Sequence, residues 1–400
     1  MACARRSVSA PCVKAGFLPL VLSRLRGGLQ RGKQAVKTFS TACLVLLAVL
    51  SAHKTAYAGE LSPRTPAPDF QAKGWLNSPP LSLAQLHGMV VLVDFWEYTC
   101  INCIRTFPYL RRWNELYAPA GLIIIGIHTP EFAFAKNPAN VASAVKRFGF
   151  SFPVVLDNDE AIWNAFHNAA WPADFLIDKD GRIAYMHLGE GDYGETELAI
   201  RQLLKEARPG LDFSAPRYAI PADANADMNA SVCRRATPET YLGFARSANL
   251  ANPGGEDETQ EVLYIAPAAV PIDDFALDGD WKAGDEFVRH MRSSAQPKDA
   301  VELHYQAKAV YLVAGSDDGS PKPLFVTQDG KPLPRDTWGV DVHADTNGRS
   351  LITLGGKRMY YVVNNPEFGE HLMALSTASP GLSLYSFTFG NNCENKFAHK

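Results

Sequence analysis

Acidic residues are missing from the first 58 positions of this chain, and cysteine, long apolar runs and internal repeats are scarce or absent along its whole length. The acid-free segment carries Arg5, Arg6, Lys14, Arg24, Arg26, Arg31, Lys33, Lys37 and Lys54. Its apolar run, Ala42 to Leu50, falls well short of the roughly 20 residues that a membrane-spanning helix needs. A basic leader, a short apolar run and Ala56-Tyr57-Ala58 before Gly59 predict a secretory signal, residues 1–58, cleaved after Ala58, with an uncleaved anchor as the plainer alternative. Arg5-Arg6 lies too far from the run for a twin-arginine signal, and Cys43 opens the run where a lipoprotein cysteine has to end it. Without the leader, 30 basic residues face 42 acidic ones, a net charge of −12. That excess disfavours nucleic acid and anionic lipid as partners and fits a freely soluble periplasmic or extracytoplasmic protein. Of seven cysteines, Cys3, Cys12 and Cys43 leave with the signal. Four in the remaining chain are too few for a disulfide-stapled scaffold, and the chain is long enough for two full hydrophobic cores.

Further absences narrow the chemistry of Cys100-Ile101-Asn102-Cys103. No second cysteine pair is present to complete a zinc site, and Ile104 stands where a c-type haem needs histidine. Val93 and Glu97 occupy the positions, seven and three before Cys100, where a thiol peroxidase carries Pro and Ser or Thr. Neither metal nor cofactor is therefore expected. What is present is a buried-strand pattern, Val90 to Phe95, leading through the cysteines into helical spacing at Ile104, Phe107, Tyr109, Leu110 and Trp113. At a helix start, free N–H groups and the dipole favour an anion, so Cys100 is expected to have a well-populated thiolate and to act as nucleophile. Cys103, one turn further in, is the expected resolving thiol.

Asp94 six residues before Cys100, Pro108 eight after it and Trp171-Pro172 ahead of ADFLIDKDGRI match the buried acid, the helix proline and the cis-proline of the thioredoxin superfamily. The chain thus resembles that superfamily, in its TlpA/redoxin-like branch. The resemblance implies Asp94 as proton shuttle and Pro172 as a cis-proline facing the disulfide. Thr99 replaces the tryptophan of thioredoxin proper, and Thr106 stands where the TlpA branch often has an acid. From about Pro66 to Gly390 the chain is similar to the C-terminal region of DipZ-type proteins, in which a thioredoxin-like domain precedes a jelly-roll domain. Because DipZ-type proteins resemble fusions with a membrane electron carrier, a separate membrane thiol carrier of the CcdA type is the implied reductant.

Along the chain, residues 59–207 read as the α/β thioredoxin-like domain. Asp69-Phe70 and Trp75-Leu76 are expected to form a leading hairpin, Leu122 to His128 and Val154 to Leu156 further strands, Asn140 to Phe148, Glu160 to Asn168 and Gly194 to Ala207 helices, and Asp174 to Leu188 a hairpin turning at Asp180-Gly181. Residues 208–238, rich in Pro, Ala, Asp and Asn, read as a linker. Residues 239–393 show short alternating segments and no helix, which predicts an all-β, jelly-roll-like sandwich: Glu261 to Ile265, Phe287 to Met291, Ala300 to Ala314, Pro323 to Thr327, Ser350 to Leu354, Met359 to Val363 and His371 to Phe389. Trp281 and Trp338 are the candidates for stacking on a glycan. Glu97 and Glu131 could lie near the site but are read as exposed acids, and the single histidines His128, His167 and His187 receive no role. Cys233 and Cys393 bracket the second domain and are a candidate structural disulfide, with two buried free thiols as the alternative. These features predict an exported thiol-disulfide oxidoreductase acting on protein thiols and disulfides. The alternatives are a glycan- or protein-binding module on a thioredoxin platform, against which the intact cysteine pair and its acid argue, and a thiol peroxidase, whose pattern is absent.

Overall fold

The strand through Val90–Trp96 is buried at every residue because it is covered on both faces and both edges. In the computed structural model, which describes residues 64–72, 74–213, 235–255 and 260–391, it is the centre of a seven-stranded sheet. The elements in chain order are β1 (Thr65–Pro66), β2 (Gly74–Leu76), β3 (Val90–Trp96), α1 (Ile101–Tyr117), β4 (Leu122–His128), α2 (Pro138–Phe148), β5 (Val154–Leu156), α3 (Ala161–Ala165), β6 (Ala173–Ile177), β7 (Arg182–Leu188) and α4 (Tyr193–Ala207). The sheet order is β1-β7-β6-β3-β4-β5-β2, with β3, β4 and β5 parallel and β6 and β7 antiparallel to their neighbours. Alternation along β3 divides the core. Val90, Leu92 and Trp96 face α1 and α4, and Val91, Val93 and Phe95 face a second cluster with Phe166 and Phe175. The central tryptophan also dictates Gly126 on β4, where a Cβ would lie 2.8 Å from the Trp96 indole nitrogen. In the long connection after β4, Asn137 caps α2 by accepting from Ala139 N at 3.0 Å, Pro138 takes the first helical position, and Gly149 ends the helix at φ 69.

The expected leading hairpin does not form. β1 pairs with β7 and β2 with β5, at opposite edges of the sheet. Asp69-Phe70 is no strand, because the Asp69 carboxylate captures the N–H groups of Phe70 (2.8 Å) and Leu83 (2.9 Å) and bends the chain locally. The helix expected over Glu160 to Asn168 contracts to α3.

The second domain is an all-β sandwich of β8 (Thr240–Tyr241), β9 (Glu261–Tyr264), β10 (Phe275–Ala283), β11 (Val288–His290), β12 (Asp299–Ser316), β13 (Lys322–Gln328), β14 (Lys331–Pro332), β15 (Val342–Ala344), β16 (Ser350–Leu354), β17 (Arg358–Thr377) and β18 (Leu382–Gly390). Two long strands organise it. The first half of β12 pairs with β10 and the end of β17, and its second half pairs with the start of β17 and with β18. Register shifts at Ala307/Ala309 and Val310/Tyr311 bend both strands, which carries them from one layer to the other around a single core. Met359 to Val363 and His371 onward therefore belong to one strand, and the run expected to continue to Phe389 breaks between Thr377 and Leu382.

β10 is not among the strands expected from the sequence, and Asp278-Gly279-Asp280 interrupts its apolar pattern. Gly279 at φ 95 makes room for Asp299, whose carboxylate accepts from Asp280 N at 3.1 Å, and the strand continues through the kink. Trp281 follows in the same strand. It is 0% exposed and its indole N–H donates to Asp278 O at 2.9 Å, so it is a core side chain and not a glycan platform. Replacing it with Ala is expected to cost roughly 3–5 kcal/mol of stability, as for other buried aromatics. Chemical denaturation of the variant measures this, and a loss below about 1 kcal/mol contradicts the core assignment. The signal segment, its cleavage site after Ala58, Cys233, Cys393 and most of the linker lie outside the described residues.

Candidate functional site

From Trp96 the chain crosses Glu97, Tyr98 and Thr99 to Cys100, the N-cap of α1. Cys100 is extended there (φ −83, ψ 111), and its Sγ accepts from Cys103 N at 3.2 Å, taking the part that Ser or Asp usually plays in closing a first turn. Both cysteines are free thiols, Cys100 half-buried and Cys103 fully buried. Pro108 lies inside α1 and offers no N–H to the carbonyl of Ile104. Thr106 replaces the acid of the TlpA branch and donates its hydroxyl to Cys103 O at 2.7 Å, so it brings no charge. The Trp171–Pro172 peptide is cis and leads directly into β6. Trp171 and Cys100 both border the core cluster beneath α1.

Helix position alone does not set the Cys100 thiol. Burial pushes it up, the Cys103 thiol and then the Cys103 N–H oppose this by hydrogen bonding, and the carboxylates of Glu131 and Glu97 push it further up. The well-populated thiolate expected from the helix dipole is thus outweighed in this state by desolvation and nearby negative charge. Cys103 is pushed well above the ordinary thiol range, chiefly by burial and then by Cys100.

Asp94, fully buried on the α1 face of β3, stands opposite Asp174 of β6 in the antiparallel register. Burial and the second carboxyl raise Asp94 well above the usual carboxylate range, and burial raises Asp174 to about 7. Glu97 is also fully buried. It accepts from Thr99 N at 2.5 Å and from the Thr99 hydroxyl, and its Oε1 lies 3.7 Å from His128 Nε2. Among the described residues no group of three His, Cys, Asp or Glu side chains converges as metal ligands do.

The second domain reaches this site directly. Ile101, between the two cysteines, is 3% exposed and packs in one cluster with Phe132, Ala309, Tyr311, Val313, Met359 and Tyr385. Arg105, two residues past Cys103, pairs with Glu190 at 3.1 Å and lies with its guanidinium 5.6 Å from the centre of the Tyr311 ring. Glu131 accepts from Tyr241 OH at 2.7 Å and pairs with Arg246 at 2.9 Å, both from the second domain. Burial and the Glu239 carboxylate raise Glu131 to about 7.

Asp174, Glu97, Glu131 and Arg105 are the residues near the cysteines that carried no role in sequence. Asp174 was within reach, because the two-residue period of a strand places it on the same face as Leu176, as Asp94 is placed with Leu92 and Trp96. Glu131 was seen as an acid that could lie near the site but was read as exposed, because the partners that cover it come from 110 and 115 residues away.

Residues 63–203 match the family model of redoxin, and residues 237–390 match that of a thioredoxin-like C-terminal domain. Protein DipZ of Mycobacterium tuberculosis is 36% identical over 338 residues, 83% of this chain and 44% of that protein, so the chain spans less than half the length of that relative. Thiol-disulfide oxidoreductase ResA of Geobacillus thermodenitrificans is 30% identical over 172 residues, 42% of this chain and 92% of that protein. The solution structure of a thioredoxin-like protein in the oxidised form aligns with 36% of this chain and 97% of its own, at 26% identity and a TM-score of 0.34. No helix among the described residues is long and apolar enough to cross a membrane.

Proposed function

Because the chain belongs to the thioredoxin superfamily, as a thiol-disulfide oxidoreductase similar to DipZ and ResA, we propose that it is exported and exchanges disulfides with protein substrates through Cys100 and Cys103. The observation that carries this reading is a pair of free thiols one turn apart at the start of α1, the first half-exposed and the second buried on the face that holds Asp94. Cys100 attacks a substrate disulfide, one substrate sulfur leaves with the electron pair, and a mixed disulfide forms. Cys103 then gives up its proton to the Asp94 carboxyl group and attacks Cys100 Sγ. The second substrate sulfur leaves as a thiolate, the substrate has gained two electrons, and the Cys100–Cys103 pair has lost them. The role proposed for Pro172, in the cis peptide ahead of β6, is that of a residue facing the pair that offers it no N–H.

Turnover of a protein disulfide by the reduced chain tests this: Cys100→Ala is expected to lower the rate at least about 10³-fold, and a rate within a few-fold of the parent contradicts it. For electron supply the proposal is a membrane thiol carrier of the CcdA type. Alkylation trapping in cells is expected to find the pair mostly reduced with such a carrier and oxidised without it. Oxidation in both cases removes the carrier from the scheme. Any glycan contact of the second domain falls at Trp338, which borders a surface pocket with Tyr311 and Tyr361.

A further inference from the structure

Three polar side chains stand side by side across the buried half of the first sheet. Asp94 on β3 is the register partner of Asp174 on β6, and Asp174 is the register partner of His187 on β7. Residues directly opposed in an antiparallel pair project to one face with their Cβ atoms about 4.5–5.5 Å apart. That face is the one carrying Leu92, Trp96, Leu176 and Tyr185, packed in the cluster that contains Cys103. Exposure rises along the row. Asp94 is 0% exposed, Asp174 is 7% exposed, and His187 is half-buried near the sheet margin. Both oxygens of Asp94, Oδ1 of Asp174 and Nε2 of His187 are shielded from solvent and meet no other hydrogen-bond donor or acceptor among the described residues. The partner that each carboxyl finds is the other carboxyl, through a shared proton. Apart from that mutual contact these atoms have no partner among the described residues, and buried polar groups are as a rule fully hydrogen-bonded, so the arrangement calls for a use.

We propose that Asp94, Asp174 and His187 form a proton path between Cys103 and solvent, in which Asp174 and His187 are positioning residues that act through Asp94. The proposal rests on the reading of Cys103 as the resolving thiol. Cys103 and Asp94 are both 0% exposed, so a proton released in the resolving step has no direct way to bulk water. The carboxyl pair, holding one shared proton, takes a second from Cys103 Sγ as the thiolate attacks Cys100. The pair then returns to its single-proton state by delivering a proton along Asp174 to His187 and out. In the reverse direction the path protonates Cys103 as it leaves the disulfide. The other ionisable groups about the row are Cys103 on α1, Tyr185 on β7, Tyr193 on α4, and Glu190 and Asp192 in the turn between β7 and α4. Burial lifts both tyrosines above the ordinary phenol range, so they stay neutral, and Glu190 is paired with Arg105. The carboxyl pair is therefore the group of the row whose proton is held by burial and by its neighbour, and His187 is the member of the row nearest solvent.

The full chain carrying a mixed disulfide between Cys100 and 5-thio-2-nitrobenzoate provides the test, because attack by Cys103 releases a coloured thiolate that stopped flow follows from pH 6 to 9. The parent is expected to show an inflection near pH 7 and a solvent deuterium isotope effect, and the absence of both overturns the path. Asp174→Asn is expected to lose the inflection and to slow release at pH 7 by about tenfold, and Asp174→Glu to restore the inflection. His187→Gln is expected to slow release severalfold in weak buffer and to recover when imidazole is added, whereas Asp94→Asn does not recover. An unchanged pH profile in Asp174→Asn, or a parental rate for His187→Gln in weak buffer, overturns the proposal. Cys103→Ala separates the two levels: if it releases the thiolate as fast as the parent, the reading of Cys103 itself has failed.

Discussion

Cys103→Ala is expected to accumulate covalent complexes with its substrates on non-reducing gels, and Cys100→Ala to accumulate none. The asymmetry follows from the two environments. Cys100 at the helix cap is half-exposed and can meet a substrate sulfur, whereas Cys103 is fully buried and can meet only Cys100. Without Cys103 the mixed disulfide loses its intramolecular attacker, whose effective concentration in well-oriented systems reaches about 10⁵ M or more. Resolution then depends on external thiols at millimolar levels and slows by many orders of magnitude. Ile101 and the cluster it forms with the second domain cover one side of the pair, so trapped substrates are expected to present their cysteine in an extended or locally unfolded segment. Equal trapping by the two variants reverses the assignment of nucleophile and resolving thiol.

The second large effect concerns stability and pH. Asp174 is raised by burial to about 7 in the folded chain, against about 3.9 for an unfolded aspartate. A carboxyl raised on folding binds its proton more tightly in the native state. Its contribution is therefore fully present below the unfolded pKa and is lost as pH climbs through the window from about 4 to about 7. At 1.36 kcal/mol per unit, on the order of 4 kcal/mol disappears across that window. Asp174→Asn carries no charge at any pH. It is expected to lack this slope and to be the more stable chain at pH 8, by several kcal/mol if the amide keeps its contact with Asp94. Urea unfolding of parent and variant at pH 4 and pH 8 measures the difference. Two parallel curves show that the carboxyl pair is not desolvated as its register and burial require.

Much of the first domain was legible because its elements are local and strongly patterned. The uninterrupted apolar runs of β3 and β4 allow only central strands, the helical spacing after Cys100 allows only α1, and Asp180-Gly181 sets the β6–β7 hairpin. Where side chains competed with the backbone the reading failed. Asp69 took the N–H groups a strand needs, and β10 was missed because Asp278-Gly279-Asp280 breaks its apolar pattern and the aspartate that accommodates the kink, Asp299, lies 19 residues from Asp280. Trp281 resembled a surface aromatic for the same reason. Burial is decided by what packs on a side chain, and an all-β layer shows that only after its strands have paired.

The sequence by itself determined the cysteine pair, its place at a helix start, the acid one strand back and the order of an α/β domain before an all-β one, since each depends on spacing within about 20 residues. The tertiary structure decided the electrostatics of the pair. Strand register put Asp174 beside Asp94 and His187 beside Asp174, and packing of the second domain buried Ile101 and brought Tyr241 and Arg246 to Glu131. Desolvation and charge separation are functions of distance in space, and residues far apart in the chain acquire that distance only when the sheets close.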